Sequence, residues 1–92
     1  MNVTHIDGKE AGKVILYTLS TCVWCKRTKA LLAELGVAYD YIDVDLLSGS
    51  EEETVVKEIY KHNPGGNFPT LVVNDSKCIV GYKEDEIREA LK

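Results

Sequence analysis

The sequence predicts a single α/β domain, a four-stranded mixed sheet flanked by three helices in the order β-α-β-α-β-β-α. Three observations carry that expectation. Apolar runs of strand length alternate with stretches of helical spacing. A short polar turn separates the last two strand-like runs. The chain has 92 residues, enough for one economical core that buries ~60–65% of the unfolded surface. Apolar residues at 45% and charged residues at 28% are ordinary for a globular protein, so disorder is expected only in residues 1–12.

Residues 1–12 are polar and punctuated by glycine, and read as a flexible leader ahead of one domain over residues 13–92. Lys13 to Tyr17 (K-V-I-L-Y) is a largely apolar run that predicts a strand buried on both faces. From Cys22 the spacing becomes helical: Trp24, Thr28, Leu31, Leu32 and Leu35 fall on one stripe, with Lys26, Arg27, Lys29 and Glu34 off it. Gly36 stands where a left-handed cap residue ends a helix. Tyr39 to Val44 predicts a second strand, partly alternating and rich in β-formers.

Ser50, with Glu53 three positions on, has the form of a capping box. The helix it opens carries Val55, Val56, Ile59 and Tyr60 as its apolar stripe. Glu51, Glu52 and Glu53 suit the positive end of its dipole. Asn63-Pro64-Gly65-Gly66-Asn67 stops it. Thr70 to Val73 and Lys77 to Tyr82 form a hairpin around Asn74-Asp75-Ser76. Glu84 to Lys92 closes the chain as a helix with an acidic first turn and Ile87, Ala90 and Leu91 on its buried face. Right-handed crossover makes the first two strands parallel, and the hairpin completes the sheet. This is a thioredoxin-like plan.

Composition narrows the chemistry. A net charge of −4 argues against a nucleic-acid surface, which needs clustered positive charge. The charge-free stretch from Val14 to Cys25 falls short of the roughly 20 apolar residues of a membrane span. With no apolar signal segment near the N-terminus, a cytoplasmic protein is expected. Three cysteines, Cys22, Cys25 and Cys78, are too few and odd in number for a secreted disulfide framework.

The strongest chemical signal is Cys22-Val23-Trp24-Cys25, set between a strand and a helix. A helix N-terminus offers unpaired N–H groups and about half a positive charge, which favour thiolate over thiol. Lys26, Arg27 and Lys29 add positive charge nearby. Two sulfurs one helical turn apart can bond to each other. The outer, Cys22, is placed to attack a disulfide, and the inner, Cys25, to resolve the mixed disulfide. The same pair could instead supply half of a zinc site. No second C-x-x-C or H-x-x-x-H partner exists, and Cys78, His5 and His62 are scattered. Cys78 reads as a buried strand cysteine, and Trp24 either covers the sulfurs or packs on the core.

The stretch Thr18-Leu19-Ser20-Thr21-Cys22-Val23-Trp24-Cys25-Lys26 resembles the active-site segment of glutaredoxins and of the small redoxins that serve ribonucleotide reductase. Phe68-Pro69-Thr70 is similar to that family's cis-proline element, and Cys78-Ile79-Val80-Gly81 to its fourth strand and following glycine. The likeness runs from about Lys13 to Leu91. It implies a monomeric dithiol oxidoreductase with Cys22 as nucleophile and Cys25 as resolving thiol. Trp24, Phe68, Pro69, Thr70, Gly81 and Tyr82 would then meet the substrate. Implied partners are disulfide-bearing proteins, with electrons from glutathione or from a thioredoxin-reductase-type or ferredoxin-linked reductase. No tightly bound cofactor, metal, nucleic acid or membrane is implied.

Three positions depart from the family pattern. Leu19 stands where glutathione-using members carry a lysine. Gly81-Tyr82-Lys83-Glu84-Asp85 replaces the usual Gly-Gly-x-Asp-Asp, and Tyr82-Lys83 is closer to the ribonucleotide-reductase redoxins. Val23 replaces a common proline, adding its N–H as an expected donor to the Cys22 sulfur. That last change also resembles glutaredoxins that bridge a [2Fe–2S] cluster between two subunits, which gives an alternative reading as a cluster carrier.

Overall fold

The computed structural model describes residues 3–91. Met1 and Asn2, placed by the sequence in the leader, and Lys92, placed in the last helix, lie outside the described residues. The elements are β1 (Thr4–Ile6), β2 (Val14–Thr18), α1 (Val23–Leu35), β3 (Tyr39–Asp43), α2 (Gly49–His62), β4 (Thr70–Val73), β5 (Lys77–Val80) and α3 (Glu84–Ala90). A single 3₁₀ turn, Val44–Leu46, joins β3 to α2. They form a thioredoxin-like sheet with spatial order β1-β3-β2-β4-β5.

The sheet has five strands, not four. Thr4–Ile6 pairs antiparallel with Tyr39–Tyr41 at the edge, and Lys9 continues the connection through N–H to Gly36 O (2.7 Å) and O to Ala38 N–H (2.9 Å). Three residues of mixed polarity carry no periodic signal of their own; the partner strand makes them a strand. Elsewhere the expected directions hold. β2 and β3 run parallel, β2 and β4 antiparallel, and β4 and β5 antiparallel.

Two cores follow from the alternation of β2. Val14 and Leu16 face one side of the sheet with Leu31 and Leu32 of α1, Leu71 of β4, and Ile87 and Leu91 at α3. Tyr17 faces the other side with Ile42, Val55 and Ile59 of α2, and Val72. So α1 and α3 cover one face and α2 the other. Leu16, Leu32 and Ile87 are fully buried, each contributing about 1.5–3 kcal/mol of transfer free energy. No helix of the described residues is long and apolar enough to cross a membrane.

Helix ends differ in part from expectation. Gly36 caps α1 at φ 69°, its N–H shared between Leu32 O and Ala33 O, a conformation glycine adopts without penalty. The capping box at Ser50 does not form, because α2 starts two residues earlier than that cap implies and Ser48 occupies the cap position without a side-chain bond. Lys77–Val80 ends before Gly81 and Tyr82, which turn into α3 instead of extending the strand.

Candidate active site

Strand β2 ends at Thr18 and the chain turns through Leu19–Thr21 to present Cys22 at the N-cap of α1. Two backbone bonds fix it: Cys22 N–H to Leu19 O, and Lys26 N–H to Cys22 O, both 3.1 Å. Cys22 Sγ accepts the N–H of Cys25 at 3.2 Å, so the sulfur itself serves as the helix cap. The donor is therefore Cys25 and not Val23, whose side chain points to solvent. An N–H aimed at sulfur stabilises negative charge there more than it stabilises a neutral thiol.

The two cysteines occupy contrasting surroundings. Cys22 is partly exposed and Cys25 has no accessible surface. Burial pushes the Cys25 thiol up to about 12, with the bond to Cys22 and the charge of Cys22 acting in the same direction; Lys29 and the Leu19 backbone act against them. The buried stripe of α1 consequently runs through Cys25, Thr28, Leu31 and Leu32. Trp24, expected on that stripe, is 54% exposed. It stacks on Tyr82 with ring centroids 6.0 Å apart, and the Arg27 guanidinium lies 5.1 Å from its ring. Trp24 thus ties the start of α1 to the loop before α3.

Register brings up the remaining expected residues. Thr70 pairs with Tyr17 on one side and Val80 on the other, so Pro69 and Phe68 continue alongside Thr18 and Leu19. The Phe68–Pro69 bond is cis, as the family likeness implies. Gly81 N–H donates to Pro69 O at 2.8 Å, and Gly81 holds φ 85°, a value that favours glycine. Thr70 is buried and faces inward: its hydroxyl donates to Asn67 O (2.6 Å) and receives from Asn63 Nδ2 (3.1 Å). It positions the loop and does not itself reach the surface. Lys83 pairs with Glu86 at 3.7 Å, both exposed.

Two supports were not legible in the sequence. Thr18 Oγ1 donates to the Asp43 carboxylate, and Asp43 also holds Lys29 Nζ at 3.3 Å. The Lys29 ammonium lies 4.0 Å from the Tyr41 ring centroid. Asp45 accepts from Ser20 N–H (2.8 Å) and Oγ (2.5 Å), which holds its carboxyl below the usual range and fixes the turn into Cys22. Asp43 lay within the stretch Tyr39 to Val44, read only as a strand, and Asp45 lay just beyond it. No group of three or more His, Cys, Asp or Glu able to hold a metal ion stands among the described residues. Cys78 lies partly buried in β5, and burial raises its thiol.

The glutaredoxin family model matches residues 14–78, from the first residue of β2 to the middle of β5. The chain belongs to the glutaredoxin family. It is similar to the crystal structure of the glutaredoxin from Methanosarcina mazei Go1, with 57% identity and a TM-score of 0.92, over 97% of this chain and 86% of that one. The methanoredoxin of Methanosarcina acetivorans is 52% identical with a TM-score of 0.88, over 91% of this chain and 88% of that one. Glutathione S-transferase Z1 of Arabidopsis thaliana is 36% identical over 88 residues, 90% of this chain. The chain spans only 38% of that transferase's length, so the likeness there is to one part of a longer protein.

Proposed function

We propose that this glutaredoxin-family protein is a dithiol thiol–disulfide oxidoreductase. The observation that carries the reading is the Cys25 N–H bond to Cys22 Sγ, with Cys22 partly exposed and Cys25 buried one turn inside. Cys22 attacks as thiolate on one sulfur of a substrate disulfide. The substrate S–S bond breaks, a Cys22–substrate disulfide forms, and the first substrate thiolate leaves. Cys25 then attacks Cys22 Sγ, forming the Cys22–Cys25 disulfide; its proton goes to the second substrate sulfur, which departs as a thiol. Two electrons pass from the dithiol to the substrate. Burial raises the Cys25 thiol, which keeps it a poor competitor for external disulfides, and its own target is the mixed disulfide on Cys22.

Disulfide-bearing proteins are the substrates that this reading favours. Glutathione is one reductant to test, beside a thioredoxin-reductase-type or ferredoxin-linked donor. Leu19 offers glutathione no cation, and Lys83 is engaged with Glu86. No feature of the described residues favours a cluster bridged between two subunits. Cys22→Ser is expected to abolish reduction of a model protein disulfide, and Cys25→Ser to accumulate a mixed disulfide visible by intact mass. Full activity in Cys22→Ser would overturn the assignment. Turnover of a glutathione mixed disulfide with glutathione and its reductase decides whether glutathione serves.

A further inference from the structure

Beside the turn into Cys22 lies a groove that includes Phe68 of the expected substrate-meeting residues and neither cysteine. Its walls are Leu19, Val56, Ile59 and Tyr60 against Phe68, with Val44 at its base. Asp45 and Glu52 stand at the rim, and no basic side chain lines it among the described residues. It is continuous with the site: Leu19 O anchors the Cys22 N–H, and Phe68 is joined to Pro69. The cavity measures about 250 Å³, below the ~300–1,000 Å³ that enclose a whole small ligand. A single apolar side chain fits that size better than a free molecule.

We propose that this groove selects polypeptide disulfides in which an apolar side chain neighbours the target cysteine and a basic residue flanks it. The proposal rests on the dithiol reading above. The apolar side chain fills the space between Leu19, Val56 and Phe68, taking further nonpolar surface out of water. The basic residue then meets Asp45 and Glu52. Asp45 is ionised near neutral pH as any exposed carboxylate is, and Ser20 fixes its position. Anionic substrates meet the same two carboxylates and are disfavoured, since like charges across an interface suppress wrong partners.

The test uses three short blocked peptides, each a mixed disulfide with 2-mercaptoethanol: lysine-leucine-cysteine, glutamate-leucine-cysteine and lysine-glycine-cysteine. The pre-reduced protein is mixed with each, and the second-order rate constant for peptide thiol release is measured at low and at high salt. The lysine-leucine peptide is expected to react about tenfold faster than its glutamate counterpart at low salt and severalfold faster than the glycine peptide. In Glu52→Lys the lysine-to-glutamate ratio should fall to about one or below, and Glu52→Gln should give an intermediate ratio. Each ratio is taken within one protein, so a general loss of activity does not imitate the effect. Wild-type rates within about twofold of each other for all three peptides would overturn the proposal. So would a wild-type preference that survives unchanged in Glu52→Lys, because it would then arise from the net charge of the whole chain. Release that persists in Cys22→Ser would instead overturn the dithiol reading, leaving the two failures distinct.

Discussion

Helices α2 and α3 open on carboxylates, Glu51 and Glu52 in one and Glu84, Asp85 and Glu86 in the other. Helix α1 has no acid in its first turn. Neither α2 nor α3 has a side-chain hydrogen bond at its cap, whereas α1 is capped by the Cys22 sulfur. Each helix presents the same partial positive charge at its start. In α2 and α3 a fixed carboxylate answers it and the benefit goes to stability. In α1 the charge is left for sulfur, and the benefit goes to whichever state of the protein carries a thiolate there. The difference assigns one helix start to chemistry and two to folding.

That contrast can be sharpened within α1 itself through the buried partner. Cys25 is held near 12 in the folded protein, against an ordinary value of 9.0. Between those values the folded state keeps a proton that the unfolded state has lost. Stability contributed by this group is therefore full below about pH 9 and falls as pH rises, by about 1.4 kcal/mol per unit. Urea unfolding of the reduced protein at pH 8 and pH 10.5 should show wild type losing about 2 kcal/mol more than Cys25→Ser. Equal losses would contradict the burial assigned to Cys25. Tyr17 and Tyr39, also raised by burial, are common to both proteins and cancel in the comparison.

The contrast can also be broken by giving α1 the acid that the other helices have. Val23→Asp places a carboxylate in its first turn, next to Cys22, at a position now exposed to solvent. Alkylation of Cys22 by iodoacetamide at pH 7 should slow about tenfold, equivalent to about 1.4 kcal/mol. An unchanged rate would show that the helix start does not favour thiolate. At the opposite end of the helix, Gly36→Ala should cost about 1 kcal/mol in urea unfolding. The cost comes from the backbone alone, because a Cβ at Gly36 would meet nothing within 4 Å. The smallest effect belongs to α3: Asp85→Asn should lower stability by a few tenths of a kcal/mol and leave Cys22 alkylation unaltered.

The sequence made some of this legible and hid the rest for physical reasons. The Gly36 cap and the Asn74–Ser76 turn are encoded locally and stand where the residues imply, as does the α1 stripe through Thr28, Leu31 and Leu32. Asn74 and Asp75 take positive φ values of 54° and 56°, which their short polar side chains tolerate. Strand β1 was hidden because Thr4–Ile6 owes its conformation to Tyr39–Tyr41, far along the chain. The cap of α2 was read at Ser50, whereas Ser48, two residues earlier, takes that position. At the site, the Cys22–Cys25 pair was readable from spacing and Pro69 from the family likeness. Trp24 was misplaced because a stripe drawn through it and one drawn through Cys25 both include Thr28, Leu31 and Leu32. The Thr18–Asp43–Lys29 cluster joins residues on three elements, and only the folded sheet brings them together. The groove has the same origin: Leu19 was visible as a departure, but Val56 and Tyr60 reach it from α2.

The central claim is that one turn of helix makes two chemically unlike thiols from positions three apart. The most direct measurement is site-resolved alkylation of the reduced, folded protein with iodoacetamide at pH 7, read by peptide mass mapping. Cys22 should be modified first, while Cys25, with no accessible surface, stays unmodified until denaturant is added. Modification of Cys25 at a rate comparable to Cys22, or ahead of it, would contradict the account.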